Sequence, residues 1–228
     1  GIGFQALTLQ TAANQNVAIG YTAGAALTDG EQNTFVGSNA ASSGTITGDK
    51  NVAMGYQAGN SLTSGEQNVA LGASALSNIA GGDDNVGIGY QAGVNCTGDA
   101  NVFVGREAGR TSASANSQTC VGWRAGYSVT GAGNTLIGYH AGTDTIALTT
   151  GTYNVCIGQN TRTSANNAEK QIVIGYDFAG NGDNKINMGS SSGYVWNSYT
   201  VNNTWTQVSD RRLKKNIEID TLGLEFIN

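Results

Sequence analysis

Few side chains in this sequence have the chemistry of a reactive site, and most of those stand alone. The single histidine, His140, has no second imidazole with which to share a zinc ion and cannot build a triad by itself. Cys96, Cys120 and Cys156 are an odd set without metal-like spacing. Asp29, Asp49, Asp83, Asp84, Asp99 and Asp183 fall in Gly-rich corners, but not in the nonapeptide calcium pattern of β-roll toxins. No Gly-x-Gly-x-x-Gly follows a strand and opens a helix, so nucleotide binding has no support. No cofactor and no metal is expected. One run stands apart: Ser209-Asp210-Arg211-Arg212-Leu213-Lys214-Lys215-Asn216-Ile217. A serine hydroxyl attacks only with a base nearby, and a lysine serves as one when burial lowers its pKa. The plain reading of the same run is a solvated turn followed by a basic helix.

The background composition is that of a rod. Among 228 residues there are 34 Gly and no Pro, and only 12% are charged. A disordered chain would carry more charge and more Pro. No apolar run of about 20 residues exists, so no membrane insertion is expected. Gly1-Ile2-Gly3-Phe4 lacks the basic and apolar regions of a signal peptide. Residues 1–209 hold 12 acids and 7 bases, and residues 210–228 hold 4 of each, which accounts for the net charge of −5. Without a basic stripe along the chain, nucleic acid is not an expected partner.

The chain is built on a repeat. Asn16-Val17-Ala18-Ile19-Gly20 returns at Asn33, Asn51, Asn68, Asn85, Asn101, Gln118, Asn134, Asn154, Gln171 and Lys185, with steps of 14 to 20 residues. Ile2-Gly3-Phe4-Gln5-Ala6 reads as the second half of another copy. The second position of the unit is β-branched in every copy, the fourth is aliphatic, and the fifth is Gly. The second and fourth share one face of a strand, and a Gly at the strand end allows a tight corner. Ala stands three residues beyond that Gly in eight of the first ten copies. This predicts an all-β parallel solenoid of two short strands per coil, with the fourth-position aliphatics lining the interior against Ala. Coils stacked about 4.8 Å apart make a rod on the order of 50 Å long.

On that reading the third position points outward. It holds Ala18, Phe35, Ala53, Ala70, Gly87, Phe103, Cys120, Leu136, Cys156 and Val173. Such a stripe is too large an apolar patch for a monomer, and packing against identical chains around an axis removes it. The third-position residues are therefore the expected subunit interface, the cysteines included. Tyr21, Tyr56, Tyr90, Trp123, Tyr139 and Tyr176 recur just after the corner Gly, as a stacking ladder or a glycan-binding stripe.

The Asn-Val-Ala-Ile-Gly unit resembles the head repeat of trimeric autotransporter adhesins (YadA-like), which is also similar to repeats in phage and large-virus fibres. The resemblance covers roughly residues 1–189. It implies a left-handed parallel β-roll of about 11–12 coils assembled as a homotrimer. Beyond Gly189 the repeat fades, and Tyr194, Trp196, Tyr199 and Trp205 follow closely, which suggests a connector over 190–208 in which three chains intertwine.

The run from Ser209 is similar to the opening of the intramolecular chaperone auto-processing domain of phage tailspikes and endosialidases. That resemblance implies trimer assembly followed by self-cleavage at Ser209–Asp210, with Ser209 as the reactive serine and Lys214 as its assistant. The family's domain is longer, so residues 209–228 match only its beginning. The combined expectation is a structural and receptor-binding fibre located on a virion, not an enzyme on any external substrate. Its partners are two further copies of itself and a host-surface receptor, with glycans among the candidates. The alternative is the head of a bacterial adhesin at the cell surface. Such a head continues into a coiled-coil stalk and a membrane barrel.

Overall fold

The computed structural model describes residues 1–11, 14–143 and 147–200, and the backbone of 206–208. The repeat units become eleven short strands: β1 (Val17–Ile19), β2 (Thr34–Val36), β3 (Val52–Met54), β4 (Val69–Leu71), β5 (Val86–Ile88), β6 (Val102–Val104), β7 (Thr119–Val121), β8 (Thr135–Ile137), β9 (Val155–Ile157), β10 (Ile172–Tyr176) and β11 (Lys185–Ser190). Each pairs in parallel with the next, and equivalent positions lie opposite one another: Ala18 on Phe35, Phe35 on Ala53, and so on to Val173 on Asn187. The chain is thus a parallel β-solenoid of about ten turns, with no helix among the described residues. The half-copy at the start joins it through an isolated bridge from Ile2 to Ile19.

The fifth-position glycines turn the corners as expected. Their φ values run from 121° to 151°. A Cβ on Gly37 would lie 2.5 Å from the carbonyl oxygen of Gly55 on the next turn, so both conformation and close stacking require Gly. The opposite wall differs from expectation. Only isolated bridges such as Leu27 to Ile46 form there. Tight turns fill the wall instead and stack through backbone bonds, as from Gly24 N–H to Ala40 C=O and from Gly59 N–H to Ala75 C=O, both 2.9 Å.

The inside and outside of the strands are inverted relative to the sequence reading. Ala18, Phe35, Ala53, Ala70, Phe103, Cys120, Leu136, Cys156 and Val173 are all buried within their own chain's coils, at 3% exposure or less. They cannot form the subunit interface predicted for them. The second and fourth positions are the ones that face outward. The reason is room. The interior of one coil is narrow, so it takes Ala, Cys and Gly, with large groups only where the facing wall yields. Leu76 fills the space at Gly87, where a Cβ would come within 2.6 Å of it, and Phe103 sits beside Gly93 and Gly109.

The first position of the unit ties the turns together. Asn33, Asn51, Asn68, Asn85 and Asn101 are buried. In each, Oδ1 accepts the backbone N–H of the equivalent residue on the following turn, at 2.8 to 2.9 Å. Nδ2 of Asn33, Asn51, Asn68 and Asn85 donates to a corner carbonyl of that turn, Gly48, Gly65, Gly82 and Gly98 respectively. An amide both accepts and donates, which is what a buried rung between two backbones requires.

The end of the solenoid folds back on itself. β12 (Gly193–Ser198) pairs antiparallel with β11, and β13 (Thr206–Val208) antiparallel with β12. Tyr194 packs on Phe178 with ring centroids 5.6 Å apart, and Lys185 Nζ lies 4.6 Å from the centre of the Trp196 ring. Trp205 lies outside the described residues.

Candidate interaction surfaces

Two surfaces follow from this frame. The first is the outward face of β1–β11. Its second and fourth positions are Val, Ile, Leu, Met or Thr in every strand, in register, and none of them is buried. Val17, Ile19, Met54 and Ile88 are the most open, at 37 to 47% exposure. The face is contiguous because equivalent positions stack directly over one another.

The second surface runs along the residues just after the corner glycines. The expected aromatic ladder is not continuous. Small or polar residues, Ser38, Ala73 and Gln159, separate its members. Within this column, among the described residues, rings meet across neighbouring turns at Phe4–Tyr21, stacked at 5.5 Å, and at Trp123–Tyr139, edge-on at 5.0 Å. Between Tyr90 and Trp123 the column holds Arg106, whose guanidinium carbon lies 5.5 Å from the Tyr90 ring centre and 5.9 Å from that of Trp123. On the adjacent column Arg124 Nε donates to Glu107 Oε2 at 2.6 Å. This bond, with Arg106 and Arg110 nearby, holds the Glu107 carboxyl below the usual carboxylate range. Arg110 Nε donates to Gln91 Oε1 at 3.0 Å, and its Nη1 donates to Tyr127 Oη at 2.7 Å. His140 stacks on Tyr139 at 4.4 Å. Sequence reasoning missed the arginines. The available signal was that Arg106 replaces an aromatic residue in an otherwise aromatic stretch.

The remaining candidates sit as follows. Cys96, Cys120 and Cys156 are free and buried. Burial pushes the Cys96 thiol up to about 11 and that of Cys156 up to about 12, and it raises Cys120 as well. Leu136 stands between Cys120 and Cys156 in the stack, which keeps the two sulfurs two turns apart. Among the described residues no three His, Cys, Asp or Glu side chains come together as metal ligands would. No helix among them is long and apolar enough to cross a membrane. An open cavity of about 230 Å³ lies where β12 folds back, lined by residues that include Arg162, Asp177, Phe178 and Tyr194. Ser209, Asp210 and Lys214 lie outside the described residues, so the proposed scissile bond has no geometry here.

No family model, no curated protein and no solved structure matches the chain.

Proposed function

We propose that the chain is part of a homotrimeric fibre of a virus or phage, structural and receptor-binding, in which the outward face of β1–β11 packs around the common axis. One observation carries the assembly. Eleven strands present an in-register, largely apolar face that their own chain covers only in part. Contiguous apolar patches of that extent are rare on monomers, and closed symmetry around an axis covers them without leaving an edge. Three-fold symmetry and the viral setting rest on the resemblance of the repeat to fibre and adhesin heads. The same resemblance at Ser209–Lys214 supports a chaperone segment that drives assembly and then cuts at Ser209–Asp210. That run also separates this reading from a bacterial adhesin head.

The test is the mass in solution. Sedimentation of the chain at micromolar concentration should give about three times the 23.3 kDa monomer mass. A stable species at the monomer mass would overturn the assembly.

A further inference from the structure

We propose that the flank formed by Tyr90, Arg106, Trp123 and Tyr139 binds an acidic oligosaccharide, a sugar chain carrying carboxylate or sulfate groups. The proposal deepens the receptor-binding part of the reading above and rests on that part for its biological setting.

Continuity is the first argument. These four residues follow the corner glycines Gly89, Gly105, Gly122 and Gly138, so they occupy one column on four successive turns. Elsewhere in the column Ser38, Ala73 and Gln159 break up the large side chains. Four turns span three steps, roughly 14 Å, which matches a short oligosaccharide.

Charge is the second. The chain carries −5 overall, and only Lys50, Arg106, Arg110 and Arg124 are basic within residues 1–143. Three of these four lie together, Arg106 in the column and Arg110 and Arg124 beside it, and among the described residues Glu107 is the carboxylate they meet. Arg106 keeps 60% of its side chain exposed, although two rings flank its guanidinium.

Chemistry unites the two. Trp123, Tyr90 and Tyr139 are each more than two-fifths exposed, so the part of each ring not covered by Arg106, Arg124 or His140 is available to the apolar C–H faces of sugars. A guanidinium fork holds a carboxylate or sulfate through paired, charge-assisted hydrogen bonds. Arg110 and Arg124 are already ordered by their bonds to Tyr127 and Glu107, so less freedom is lost on binding. A long nucleic acid fits worse. It would run off the arginines onto turns bearing Asp83, Asp84 and Asp99, with no bases to meet its phosphates.

Isothermal titration of the full chain at low salt tests the proposal. Sialyllactose and a heparin tetrasaccharide serve as ligands, with lactose and a thymidylate oligomer as comparators. Saturable binding of an acidic sugar is expected. It should weaken about tenfold or more in Trp123→Ala and Arg106→Gln and fall with added salt, while Tyr56→Ala binds as the parent does. Success with sialyllactose alone assigns carboxylate recognition, and success with heparin alone assigns sulfate. Circular dichroism identifies folded variants. The proposal fails if neither acidic sugar saturates, if lactose binds as well, if only the thymidylate binds, or if Tyr56→Ala is as damaging as Trp123→Ala. Sedimentation of the same samples separates the two readings. A monomer that binds the sugar overturns the trimer alone, and a trimer that does not bind overturns the sugar site alone.

Discussion

Gln118 takes the ladder's hydrogen bond from Asn101 and does not pass it on. Its backbone N–H donates to Asn101 Oδ1 at 2.9 Å, yet its own Oε1 is buried without a hydrogen-bond partner. The extra methylene carries the amide past the rung position. Its Nε2 still donates to the corner carbonyl of the next turn, Gly131 C=O, which Asn134 Nδ2 also uses at 2.8 Å, so what is lost is the bond its oxygen should accept. The other glutamine of this column, Gln171, avoids the same fate because Ser164 N–H donates to its Oε1 at 3.1 Å, while its Nε2 donates to Ser164 Oγ and Asp183 Oδ1.

Gln118→Asn should therefore stabilise the solenoid. The buried orphan oxygen disappears and the rung is restored, a gain of about 1 kcal/mol. Urea unfolding reads the change as a higher midpoint at unchanged slope. A lower midpoint would show that turn seven cannot accept the shorter amide.

Neighbouring residues on one strand should fail in different ways. Leu136 is fully buried and Ile137 is not. Leu136→Asp places an unpaired carboxylate in the coil interior and should cost several kcal/mol, on the order of 3 or more, enough to lose folded protein. Ile137→Asp should keep the β-rich circular dichroism spectrum while shifting the sedimentation mass toward the monomer. Unfolding by both variants alike would undo the separation of interior from interface.

Alkaline pH should destabilise the fold through the thiols. Below about pH 7.5 they are neutral in folded and unfolded chains alike, so the cysteines add no pH dependence there, and above it the unfolded thiols begin to ionise. As pH climbs on toward 11, unfolded cysteines ionise, but folded Cys96, raised to about 11 by burial, largely does not. The folded state then binds more protons, and stability falls as pH rises. Cys156, at about 12, extends the loss further. Replacing all three with Ala should flatten the melting temperature across this window. An unchanged slope would place the cause in other groups.

Self-cleavage should depend on Ser209 and Lys214. Expressed with a complete chaperone domain downstream, the chain should yield a product ending at Ser209 by intact mass. Ser209→Ala and Lys214→Ala should remain uncut. Normal processing in either variant would remove that residue from the chemistry.

Much of the architecture was legible in the sequence. Eleven copies of the unit gave eleven strands, and the corner glycines were placed by their position alone. The choice of face was not legible. A period of two separates Ala70 from Leu71 but does not say which points inward. Aliphatic size argued for Leu71 inside, whereas the narrow coil accepts Ala70 and leaves Leu71 half-buried outside. The Asn rungs were visible as a column, and their role was missed because buried amides are normally read as turn formers. The arginine flank was hidden for another reason. Arg106, Arg110 and Arg124 are spread over 18 residues of sequence from first to last, and only the stacking of turns brings them beside Tyr90 and Trp123.

The Asn rungs also set how the rod bears load. Backbone and amide bonds between turns run along the rod axis, so a pull on its two ends strains them in series. Each turn contacts only its neighbours, so turns release one after another. With a spacing of about 17 residues, each release frees roughly 55 Å of chain. A single chain stretched between beads should give a regular sawtooth at that interval, with its weakest tooth at the turn whose rung Gln118 leaves open.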